Sequence, residues 1–143
     1  SLASLQGAES VPALIDSPLR ERYQYRVYLQ LADLYGKQER IKDAADTLAA
    51  FVRRQPLHAQ APLLQARVVE IYANNGFATL ALAAKKDHVQ RYGAESEFRR
   101  ANPAGWQMAQ PLVQAHLAEL APNHPALAQK SRATADVEEA VPG

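Results

Sequence analysis

Apolar residues recur along this chain at steps of three and four, the spacing that collects them on one face of an α-helix. Leu19, Tyr23, Val27, Leu31 and Leu34/Tyr35 form the first such run. Ser17-Pro18 ahead of it supplies a capping hydroxyl and a proline where its missing N–H is harmless. Gly36 is expected to stop that helix. A second run, Ile41, Ala44, Ala45, Leu48, Phe51 and Val52, ends before Pro56, and Ala50 falls on its predicted outer face. A third opens at Pro62 and carries Leu64, Val68, Ile71 and Tyr72. Asn74-Asn75-Gly76 ends it, because Asn and Gly tolerate the left-handed conformation in which helices stop. A fourth carries Phe77, Leu80, Ala81, Ala84, Val89 and Tyr92, and Gly93 closes it. Alternating runs are too short for strands and β-branched residues are scattered, so the pattern predicts an all-α protein.

The order of these runs carries further information. Tyr35 and Tyr72 close equivalent helices 37 residues apart, and each is followed by a short turn and an alanine-containing helix. Helix–turn–helix units repeating at about 34 residues mark a solenoid, in which each pair buries its apolar face only against its neighbours. In the first unit Tyr28, Leu31, Ala32, Tyr35, Ala44, Leu48 and Pro56 match the tetratricopeptide pattern in type and spacing. The chain resembles that family over about residues 25–92. Ala32 and Ala44 are the small residues that let two helices of a hairpin approach closely, and Pro56 stops the second helix. The second unit departs further from the pattern. Val69 is larger than the family prefers, and Lys85 stands where a large apolar residue belongs, which predicts a one-residue shift of register there.

The resemblance implies a right-handed superhelical α-solenoid of antiparallel helix pairs. The expected division is a lead-in over 1–16, a first repeat over 17–58, a degenerate second repeat over 59–92, an irregular helical insertion over 93–120 and a partial third repeat over 121–143. In the insertion, Asn102-Pro103 starts a helix and Pro111 is expected to break or kink it. Leu112, Val113, His116, Leu117 and Leu120 then form a second short stretch. This segment either serves a functional face or closes the core, and Trp106 within it is a candidate interface anchor. The sequence breaks off inside the third repeat, as expected of a piece of a longer array. An array cut there leaves an apolar face around Leu127 and Val137 that a second copy can cover, giving a weak homodimer.

In the tetratricopeptide family the first helix of each repeat lines a concave groove that holds an extended or helical peptide. The resemblance therefore places partner-binding residues off the core pattern. In the first unit these are Arg26, Gln30, Asp33 and Lys37, and in the second Leu63 precedes Arg67, Glu70 and Asn74 at the same spacing. Lys37, Arg67 and Asn74 are the residue types of the family's peptide-terminus clamp, whereas Asp33 and Glu70 beside them argue against simple carboxylate capture.

Composition adds mainly exclusions. The formal net charge of +1 over 143 residues offers no basic field for nucleic acid. No apolar run approaches the ~20 residues that span a bilayer. Cysteine is absent, which removes thiolate chemistry and disulfides. None of the four histidines has a metal-ligating partner at helical spacing, the six glycines are scattered, and no nucleophile motif occurs. Neither a cofactor nor an enzymatic activity is expected. The primary reading is a scaffold for a protein or peptide partner. The alternatives are a nucleic-acid-binding helical repeat, through the arginines and lysines between 85 and 100, or a regulatory domain attached to an enzyme. The Ala/Gln/Leu/Arg-rich wording resembles tetratricopeptide proteins of Gram-negative cell envelopes, which favours a bacterial periplasmic setting over the cytoplasm.

Overall fold

The computed structural model describes residues 20–121; the lead-in, the Ser17-Pro18 start signal and almost all of the partial third repeat, with Leu127 and Val137, lie outside the described residues. Six helices follow in order: α1 (Arg20–Lys37), α2 (Ile41–Arg54), α3 (Ala61–Asn74), α4 (Ala78–Tyr92), α5 (Glu97–Ala101) and α6 (Pro103–Leu120). Among the described residues there is no strand. Each of the first four helices packs on the next, and α4 then receives both α5 and α6.

The two hairpin turns are built alike. The carbonyl of Tyr35 accepts the Arg40 N–H at 2.9 Å, and the carbonyl of Tyr72 accepts the Phe77 N–H at 2.9 Å. The residue before each donor is left-handed, Glu39 at φ 60° and Gly76 at φ 83°. This is the geometry by which a helix satisfies its last carbonyls while reversing direction. α1 ends one residue past Gly36, at Lys37, and the left-handed residue of the turn is Glu39 and not the glycine. Left-handed backbone suits glycine and costs an L-residue roughly 1–2 kcal/mol. Glu39→Gly is therefore expected to stabilise the protein by about 0.5–1 kcal/mol, read as a higher urea midpoint.

The 37-residue register holds through the second unit. Ala44, Thr47, Phe51 and Val52 are buried in α2, and Ala81, Ala84, His88 and Val89 are buried at the matching places of α4. The register shift expected at Lys85 does not occur. Lys85 replaces Leu48, and His88 replaces Phe51, because α4 packs on polar groups of α6 where α2 packs on apolar neighbours. Ala50 is a second correction. It is fully buried, because α2 lies between α1 and α3 and so covers a wider arc than a helix with one packed side.

Pro111 lies inside one continuous helix, so the expected break of α6 does not occur. Proline removes one bond of the ladder and frees the carbonyl four residues back. Pro111 and Gln107 are both exposed, so the freed carbonyl faces water and the helix persists. The buried side of α6 closes the end of α4. Trp106 Nε1 donates to the Gly93 carbonyl at 2.9 Å, and Gln110 Nε2 donates to the Tyr92 carbonyl at 3.0 Å. These bonds satisfy carbonyls that a helix end leaves open. Glycine is required at 93 by the turn that ends α4, since a Cβ there would lie 2.5 Å from the Val89 carbonyl oxygen. Trp106 is only 1% exposed, with the Arg99 guanidinium 4.4 Å from its ring centroid. It packs the core and is not available as an interface anchor.

Candidate functional site

Five of the seven residues expected to bind a partner line one cleft. Asp33 and Lys37 come from α1, and Arg67, Glu70 and Asn74 come from α3. The cleft measures about 510 Å³, and Leu29, Ala32, Ala44, Leu48 and Ile71 contribute to its floor. The helix period explains the gathering, because steps of three and four keep these polar groups on the side opposite the core stripe. Gln30 and Arg26, one and two turns earlier on α1, are exposed but do not line it. Arg26 instead lies over its neighbour Tyr25, at 5.7 Å from the ring centroid.

A second cleft of about 570 Å³ adjoins the first and shares Leu29, Arg67 and Glu70 with it. Leu63 and Ala66 of α3 face Leu112, Ala115, His116 and Glu119 of α6 across it. Leu63 and Leu112 are 45% and 43% exposed, enough apolar surface to seat a partner's side chain. The two clefts together form a trough, polar at the α1–α3 end and apolar at the α3–α6 end. The charges along it alternate. Arg67 and Glu70 approach to 3.8 Å, and Lys85 of α4 forms an ion pair with Glu119 of α6.

The α6 wall is what sequence reasoning missed. A signal existed, because Leu112, His116 and Glu119 repeat the spacing of Leu63, Arg67 and Glu70. The offset between these triplets is 49 residues and not 37, since α5 and its flanking turns intervene, and reading Pro111 as a break hid it.

Behind this wall His88 and His116 meet, Nδ1 to Nδ1 at 2.8 Å, with ring centroids 4.8 Å apart at 73°. His88 is fully buried, its Nε2 makes no hydrogen bond, and its ring lies 5.9 Å from that of Tyr92. Burial, and secondarily the His116 ring, hold the His88 pKa down at about 3, against a smaller opposing pull from the Pro62 carbonyl. Burial also lowers His116, with Glu119 and Glu70 opposing and Lys85 reinforcing. Both rings are therefore neutral at neutral pH. Burial raises the Tyr92 hydroxyl far above its ordinary value, and it donates to the Pro56 carbonyl at 3.0 Å.

Among the described residues no three His, Asp or Glu side chains converge as metal ligands, and no helix is long and apolar enough to cross a membrane. Comparison of the chain with known protein families, with curated proteins and with solved structures finds no match.

Proposed function

We propose that this chain is a protein–protein interaction module of the tetratricopeptide type, a right-handed helical array whose trough holds a peptide segment of a partner. The observation that carries the reading is the convergence of Asp33, Lys37, Arg67, Glu70 and Asn74 on one cleft that continues into the leucine-lined one. A trough with a polar end and an apolar end suits an amphipathic segment, which presents apolar side chains at regular intervals and polar ones between them. Asp33, Glu70 and Glu119 alternate with Lys37 and Arg67 along it, which disfavours a phosphate backbone that needs a continuous basic lining.

The test is charge reversal inside the trough. Lys37→Glu combined with Arg67→Glu is expected to leave the melting temperature nearly unchanged, because exposed charges contribute within ~0.5 kcal/mol to folding. The same pair is expected to abolish recovery of the partner that the parent chain captures, since interface charges govern association rate and partner choice. Arg26→Glu, outside the trough, should retain capture. Undiminished capture by the double variant moves the binding surface elsewhere.

A further inference from the structure

The contact between His88 and His116 joins two separate helices, and it requires one proton between the two facing nitrogens. With the two Nδ1 atoms 2.8 Å apart, one ring must donate and the other accept. One added proton leaves an N–H⁺···N bond in place. A second proton points two N–H groups at each other and puts two cations in contact. We propose that the His88–His116 pair is a proton-operated latch that holds α6 against α4 and releases it in mild acid. The latch itself does not depend on the binding role assigned to the trough; its consequence there, loss of the wall that carries Leu112 and Glu119, does.

The surroundings support a latch more than a passive core contact. The place of His88 is taken in the first unit by Phe51, whose ring has no nitrogen to protonate and meets Tyr28 and His58 edge-on. From α3 the Pro62 carbonyl and Glu70 face the pair, from α4 Lys85 and Tyr92, and from α6 Glu119. The Asp87–Arg91 pair on α4 is satisfied within its own helix at 2.9 Å. Glu70 and Glu119 favour a first proton on the half-buried His116, while among the described residues no carboxylate acts on His88. The direction follows from linkage. His88 binds a proton far more weakly in the closed state, at about 3, than an exposed histidine at ~6.5. The closed state is therefore fully favoured above pH ~6.5 and loses ground as the pH falls from there towards 3. For the one proton on His88, lowering the pH from 7.5 to 5 shifts the equilibrium towards the open state about 30-fold.

Amide hydrogen exchange on the whole chain reads this equilibrium directly, as protection factors corrected for intrinsic rates. Between pH 7.5 and 5, the α6 amides are expected to lose protection about 30-fold while α1 and α2 keep theirs. Acrylamide quenching of Trp106, the single tryptophan, should rise in parallel. His88→Phe, which restores the residue type of the first unit, should sharply reduce both changes. The wild-type His88 ring nitrogen shifts provide a test without a variant, and should show a neutral ring until α6 loses protection. Acid sensitivity undiminished in a folded His88→Phe variant overturns the latch. So does a His88 ring that titrates near 6.5 with α6 still protected, or loss of protection in α1 and α2 together with α6.

Discussion

Trp106→Ala is expected to cost about 3–5 kcal/mol and to loosen α6 from the rest of the protein. The side chain is 1% exposed, so truncation removes its whole apolar surface from the core and leaves a cavity behind. It also removes the donor to the Gly93 carbonyl and the ring on which the Arg99 guanidinium rests. Gln110 still holds the Tyr92 carbonyl, so the end of α4 keeps one of its two side-chain donors from α6. A urea titration followed by circular dichroism checks the size of the loss. Met108→Ala is the internal reference. Only two residues away on the same helix but 84% exposed, it should change stability by no more than ~0.5 kcal/mol. Equal midpoints for the two variants would contradict the packing described for α6.

Phe51→Ala is expected to be of the same order, about 3–5 kcal/mol, at the other end of the structure. The ring is fully buried and meets Tyr28 of α1 edge-on at 5.3 Å and His58 of the α2–α3 connection at 5.2 Å. Edge-to-face pairs contribute beyond their burial, roughly 0.5–1.5 kcal/mol each, so removing one ring disturbs two contacts and three segments of chain. The measurement is again a urea midpoint, with an unchanged slope as the sign that the native state keeps its compactness. A loss below ~1 kcal/mol would mean that this cluster collapses onto the vacancy and does not anchor the first hairpin.

The sequence by itself determined α1 to α4 and the start of α6. Apolar spacing marked α1 to α4, Asn102-Pro103 marked the start of α6, and Asn102 Oδ1 does accept the Gly105 N–H at 3.0 Å. These signals are local, written within one turn of the residues that obey them. The polar stripes were legible for the same reason, and Asp33, Lys37, Arg67, Glu70 and Asn74 share a cleft because helical periodicity keeps them off the core. Pro111 misled because it was weighed alone. A proline is tolerated inside a helix where the freed carbonyl meets water.

Only the tertiary structure decided which helix forms the third wall of the trough, why Lys85 and His88 are tolerated where Leu48 and Phe51 stand in the first unit, and that His88 meets His116. Those two histidines lie 28 residues apart on separate helices, beyond the reach of any spacing rule. What brings them together is the packing of α6 on α4, fixed in turn by Trp106 and Gln110 at the carbonyls that end α4. Periodicity says which face of a helix is buried; the neighbour that buries it is chosen by the summed fit of many weak contacts, and that sum exists only in the folded chain.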